Sequence, residues 1–406
     1  MTFSPTRRGF LGGAGLGLAT LVCRKHLVAY GAPDRRGRAA LVVVVQRGAV
    51  DGLAMVPPHG DPLLATLRPS LAARVGAGAV DLDGHWGLHA GLAPLVPHYQ
   101  AGRLAIVPAV GLPGATRSHF EAQDLLEQGG APGVAGWANR VVAGEASGGA
   151  TEDTRAIAVG GALPRSLAGT APALVIAPNG QIGAARHAPP ARRQQILRAL
   201  GDLYAAGADP FSTTARRALA GAARVEAALA AQPARSAAPK GPVGQALMTA
   251  ARLLRADLGA ELIVVDTGGW DTHTGQARRL DRALGALGEA IAAFATELGD
   301  QLASVTLMTV SEFGRTVREN GTGGTDHGTA TMSLVLGGRV AGGKVVGRFP
   351  GLADHQRFEG RDLAIATDVR DLLGNALAAT LGVPDDRLRA VFPGHEPVRL
   401  GLFRAS

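Results

Sequence analysis

Five short apolar runs do most to restrict the fold: Leu41–Val45 (LVVVV), Leu104–Val110 (LAIVPAV), Ala173–Ala177 (ALVIA), Leu262–Val265 (LIVV) and Val305–Val310 (VTLMTV). None alternates with polar residues, so a strand built from any of them is buried on both faces, as in a parallel sheet roofed by helices. Helical patterns separate them, over Phe120–Gln128, Arg192–Ala206, Thr214–Ala231, Val243–Leu258, Ala277–Glu297 and Asp368–Leu381. This alternation predicts an α/β fold with a mainly parallel central sheet covered by helices on both faces. With 406 residues, 46% hydrophobic and 18% charged, the chain has enough apolar material for a sizeable core. The stretch from about 144 to 242, rich in Ala, Arg, Gly and Pro, reads as a helical flank or cap.

The amino terminus carries an address. Thr6-Arg7-Arg8-Gly9-Phe10-Leu11 followed by an apolar, Gly-rich stretch to Val22 reads as a twin-arginine signal peptide over residues 1–31, with 32–39 as linker and 40–406 as the domain. The apolar stretch falls short of the roughly 20 residues a permanent span needs. The expected partner during export is the twin-arginine translocase, and the expected location is periplasmic or secreted. The single cysteine, Cys23, lies within the leader, which excludes disulfides and thiol chemistry in the remaining chain. Arg7, Arg8, Arg24 and Lys25 account for about half of the formal charge of +8, and aromatic content is 4%, so nucleic-acid binding has no support.

Candidate chemistry lies just after the apparent strands, where open α/β sheets gather their ligands. Behind Val305–Val310 comes SEFGRTVRENGTGGTDHGTA, which holds Glu312, Arg315, Asp326 and His327. The Asp-His pair offers one oxygen and one imidazole nitrogen to a metal. Behind Leu262–Val265, Asp271 and His273 are two residues apart, so both point the same way on an extended segment. Asp51 trails the first strand in RGAVDGL, as a hard oxygen ligand or a turn-stabilising carboxylate. Ser118, with Glu121 three residues on, forms an expected capping box, and it also puts a hydroxyl at a positively polarised helix start. His119 and His89 are candidate proton carriers, although His89 also suits a helix start.

In this order, RGAVDGL, GLHAGLAPL, TRSHFEAQD, GWDTH, SEFGRT and GTDHG resemble the domain of unknown function 1501 family, from about residue 40 to the carboxyl end. The resemblance implies kinship with the alkaline phosphatase and sulfatase superfamily. It thus implies an alkaline phosphatase-like sandwich with a one- or two-metal centre at the strand carboxyl ends. By that likeness Asp51, Asp271, His273, Asp326 and His327 are expected to hold a divalent ion, zinc or manganese. Ser118 would be the nucleophile, with His119, Glu312 and Arg315 assisting as proton carrier, acid or orienter, and anion clamp. Arg117 and Arg47 are further candidate clamps. Two departures stand out: the third motif is Asp-x-His where Asp-x-x-x-His is usual, and only His355, in poor context, is available as a final histidine. The expected reaction is hydrolysis of phosphate or sulfate esters. The competing expectation is a non-catalytic exported protein with a degenerate metal site, binding glycans or assisting a partner.

Overall fold

The computed structural model describes residues 39–76, 78–114, 116–144, 154–182 and 188–405. The signal peptide, Cys23 and nearly all of the linker lie outside these. The strands are β1 (Ala40–Gln46), β2 (Val80–Asp81), β3 (Gly87–Leu88), β4 (Leu104–Gly111), β5 (Ala156–Val159), β6 (Leu174–Ile176), β7 (Leu262–Thr267), β8 (Val305–Val310), β9 (Thr331–Gly337), β10 (Lys344–Val345) and β11 (Thr367–Asp368). β2 and β3 pair as a small separate ribbon. The rest form a nine-stranded sheet in the order β10-β4-β9-β8-β1-β7-β5-β6, with β11 beside β4.

β1 runs parallel to both β7 and β8, and β5 parallel to β7 and β6. Only β9 is reversed, antiparallel to its neighbours β4 and β8. One reversed strand between β4 and β8 leaves those two parallel, so the carboxyl ends of β1, β4, β7 and β8 share one edge. That edge collects the loops carrying the motifs.

The period-two geometry of β1 shows why its run is apolar throughout. Ala40, Val42 and Val44 enter a core with Leu247 and Ala250 of helix Pro242–Arg255 and Leu284, Leu287 and Ile291 of helix Gln276–Leu298. Leu41, Val43 and Val45 enter a second core with Trp137 and Val141 of helix Trp137–Ala143 and Leu372, Leu373 and Ala376 of helix Val369–Leu381. Helices therefore cover both faces, and the α/β reading holds. Each fully buried Val or Leu contributes about 1.5–3 kcal/mol.

Two features differ from the sequence expectation. The stretch 144–242 adds β5, between β7 and the expected strand β6 at the sheet edge, as well as the helices Pro190–Ala205 and Pro210–Ala231. β5 is four residues long, and β9 is interrupted by Thr331 and Ser333, so neither stands out as a continuous apolar run. Among the described residues no helix is long and apolar enough to cross a membrane.

Candidate metal centre

Three loops meet at the shared edge because their backbones approach closely. Gly48, after β1, has φ +115, and a Cβ there would lie 2.6 Å from the Asp271 nitrogen. Gly324 packs its α-carbon against the His273 carbonyl, leaving no room for a side chain. Arg315, 2% exposed, then ties the loops together. Its guanidinium donates to the carbonyls of Ala49 (2.7 Å), Gly48 (2.7 Å), Trp270 (3.2 Å) and Thr325 (3.0 Å), and to Asp271 Oδ1 (2.5 Å). So engaged, Arg315 is held against Asp271 and three loops.

Around Asp271 stand three imidazoles. His273 Nε2 lies 3.0 Å and His327 Nε2 3.4 Å from Asp271 Oδ1, while His119 Nε2 is 3.5 Å from Oδ2. The Nε2 atoms of His273 and His327 are 3.0 Å apart. Ligand atoms of His119, Asp271 and His327 all fall within 4.8 Å of one another. With bonds of about 2.0–2.1 Å, the edge of a zinc tetrahedron is about 3.3 Å. The observed spacings bracket that edge.

The proton positions follow from the acceptors on the far side of each ring. His119 Nδ1 faces Glu312 Oε1 at 2.7 Å. Burial works against the Glu312 charge, but hydrogen bonds from Gln123, from backbone N–H groups including Gly48, and from His119 outweigh it and lower the pKa. Glu312 is therefore ionised, and Nδ1 of His119 must carry the proton. His273 Nδ1 faces Asp326 Oδ1 at 3.0 Å. The bond from His273 is the main reason that the Asp326 pKa is lowered, so Asp326 too can only accept. His327 Nδ1 faces the Arg117 carbonyl at 2.9 Å, which has no proton to give. Burial, against the pull of that carbonyl, keeps the His327 pKa below its usual value, so the ring is neutral.

All three imidazoles thus turn Nε2 toward one carboxylate. The buried His119 Nε2 has no hydrogen-bond partner. A nitrogen-rich set of this spacing with one carboxylate fits a divalent transition metal.

Other candidates stand apart from this centre. Asp51, 1% exposed, is taken by Arg68, whose Nη1 donates to both carboxylate oxygens at 2.9 and 2.7 Å; Gln276 also donates to it, and it caps helix Gly52–Met55 through Ala54. Its carboxylate oxygens are thus engaged by a guanidinium and an amide. Asp326 and His327 are adjacent on an extended, bridged segment, so their side chains diverge; His327 faces the centre and Asp326 supports His273 from behind. His119 faces inward as a potential ligand where a proton carrier was expected. Glu312, tied to His119, Gln123, Gly48 and Ser311 (3.0 Å), holds a ring in place and has no free face for acid catalysis.

Ser118 is the N-cap of helix His119–Glu127 but makes no capping bond; Glu121 accepts from Thr116 Oγ1 at 2.8 Å, so the capping box is not formed. Arg47 is held by Asp266 (2.8 Å) and Glu127 (2.8 Å), and Arg117 by Glu359 (2.6 Å) and Asp362 (2.8 Å). His89 caps the turn at Gly91 (3.0 Å) and contacts Asp281, and exposed His355 lies in the short helix Asp354–Gln356. No motif marks Arg68, in a TLRPS segment, or Gln276, and Gln123 lies in the motif TRSHFEAQD without being singled out; their roles arise from packing.

Glu312→Gln separates positioning from folding. It keeps the shape but offers His119 a weaker, neutral acceptor, so zinc affinity is expected to fall about 10–100-fold with little change in thermal stability. Isothermal titration with zinc reads this; unchanged affinity would exclude the positioning role.

The comparisons with known proteins come to three findings. The family model described as "Protein of unknown function (DUF1501)" matches residues 98–397. No curated protein matches the chain. Among solved structures, the chain is similar to the C-terminal periplasmic domain of EcEptC from Escherichia coli in complex with Zn, at 10% identity and a TM-score of 0.33, covering 74% of this chain and 73% of that one.

Proposed function

We propose, for a chain that belongs to the DUF1501 family, that Nε2 of His119, His273 and His327 and the carboxylate of Asp271 hold one divalent metal ion, and that the centre hydrolyses phosphate or sulfate esters. The observation that carries this reading is the set of three Nε2 atoms turned toward Asp271, each ring held from behind through Nδ1, with ligand atoms of His119, Asp271 and His327 within 4.8 Å of one another. Such a set suits zinc first and manganese second, and disfavours calcium, which takes oxygen ligands. A bound ion would supply Lewis acidity, stabilising charge on the transferring group and acidifying a nearby hydroxyl or water.

The chain's own groups do the rest. Glu312, Asp326 and the Arg117 carbonyl hold the rings, and Arg315 holds Asp271. Ser118 is half-buried beside His119, at the start of a helix whose polarity favours an alkoxide, and its hydroxyl has no capping duty; it is the proposed nucleophile. The order of motifs that resembles the sulfatase-like superfamily supports the ester class.

The test begins with chelator-stripped protein titrated with zinc, expected to take up one ion per chain, followed by a screen of phosphate and sulfate esters. Ser118→Ala should keep zinc and lose turnover by a factor of at least about 100. Full turnover by that variant would remove the covalent route. Zinc binding without turnover on any ester would favour a non-catalytic exported binding protein, and no zinc binding would end the metal reading.

Export by the twin-arginine translocase to the periplasm or beyond is proposed from Arg7-Arg8 and the short apolar stretch. Replacing both with Lys should leave the precursor in the cytoplasm. Unchanged export of the double variant, read by fractionation, would contradict it.

A further inference from the structure

Two phenylalanines stand in solvent, one next to His119 in the chain and one against Arg117, against the usual tendency of the residue to be buried. Phe120, which follows His119 in helix His119–Glu127, is 89% exposed, and Phe358 is 48% exposed. Phe358 is held in place: Arg117 lies over its ring, 5.9 Å from the centroid, and the Arg117 carbonyl receives His327 Nδ1–H. The chain turns tightly here, Phe358 and Asp362 exchanging backbone hydrogen bonds of 2.9 and 3.0 Å while Glu359 adopts a left-handed φ of 55. The same turn carries Arg361, whose side chain is 44% exposed; Nη2 donates to the His327 carbonyl at 2.5 Å and Nε lies 3.5 Å from Asp362. A guanidinium has five N–H donors, and two contacts do not exhaust them.

Resting on the metal centre proposed above, we propose that this rim sets the substrate class: an anionic ester with a flat apolar body, such as an aryl ester. The anionic head would sit between the centre, Arg361 and the uncapped start of helix His119–Glu127, and the body would lie on Phe120 and Phe358. Both features are required together. The cation and Arg361 select the charged head, and the two rings reward a ligand that covers them.

Non-hydrolysable probes test this without relying on turnover. The full chain, reconstituted with zinc, is titrated with phenylphosphonate and with methylphosphonate. Phenylphosphonate is expected to bind about tenfold tighter, the worth of roughly 60 Å² of apolar surface covered. Phe120→Ala should reduce that preference to about twofold or less while zinc uptake is unchanged; the side chain is already in water, so folding is not at stake. Arg361→Gln should weaken both probes alike, by about tenfold. Equal binding of the two probes by the zinc-loaded chain, or no binding of either, would overturn the substrate class and leave the metal centre standing. A tenfold preference that survives both Phe120→Ala and Phe358→Ala would overturn the assignment to this rim. If the chain takes up no zinc, the centre and the inference fall together.

Discussion

Arg315→Ala is expected to destabilise the protein by about 3–5 kcal/mol and to abolish zinc binding at the same time. Arg315 joins the loop after β1, the loop after β7 and its own loop after β8, through four carbonyls and Asp271. Alanine leaves those buried carbonyls without their donor and Asp271 without its partner, and no nearby side chain replaces a planar, five-donor group. Half-exposed Asp271 can recover some hydration, so most of the cost comes from the backbone acceptors. In a domain of this size the loss corresponds to a fall in Tm on the order of 5–10 °C. The melt is measured with chelator present, so that ligand loss does not contribute. Arg315→Lys keeps the charge but reaches fewer acceptors, and should fall between the two. A chelated Arg315→Ala protein melting within about 1 °C of the parent would show that the loops are held together by other means.

The parts of this fold that could be read from sequence are those where one residue type repeats for a local reason. The run Leu41–Val45 is apolar at every position because β1 feeds two cores, and that signature survives without any knowledge of neighbours. β9 failed to show because Thr331 and Ser333 interrupt it, and both are buried: Thr331 donates to the Val50 carbonyl, a partner 281 residues away. The site divides the same way. Asp271 and His273 were legible as a pair because spacing of two on extended chain is a local property, and their functional atoms lie 3.0 Å apart. Asp51 pairs with Arg68, which comes from a segment with no motif, so the sequence gives no sign of that partner. What separates a ligand from a buried ion pair is which residue arrives opposite, and tertiary packing decides that. Asp326 shows a further limit, since neighbours on an extended segment point opposite ways, and the pair DH gives no sign of which one faces the centre.

Asp271→Ala is expected to reduce zinc affinity by more than about 100-fold, against about 10–100-fold for Asp326→Asn. Among the described residues Asp271 is the carboxylate whose oxygens approach all three Nε2 atoms, at 3.0, 3.4 and 3.5 Å, whereas Asp326 meets His273 Nδ1. Burial opposes the Asp271 charge, but the hydrogen bond and charge of Arg315, with lesser contributions from His273 and His119, outweigh it and lower its pKa. Acid should therefore act on the metal through the rings. Each ligating nitrogen must be unprotonated, so affinity is expected to fall as pH drops below about 6.5. At His327 the competition is delayed, because burial holds its pKa below the usual 6.5. The same shift has a cost for the metal-free fold. Above about 6.5 the ring is neutral both folded and unfolded and contributes no pH dependence; below it the unfolded chain takes up a proton that the folded site resists, so stability declines. Zinc titrations and chelated melts between pH 7.5 and 5.5, by experimental choice, should thus show both quantities falling together, and His327→Gln should flatten part of the chelated-melt slope. If Asp326→Asn instead costs as much zinc affinity as Asp271→Ala, the ion sits on the Asp326 side of His273, and the ligand set must be redrawn around that carboxylate.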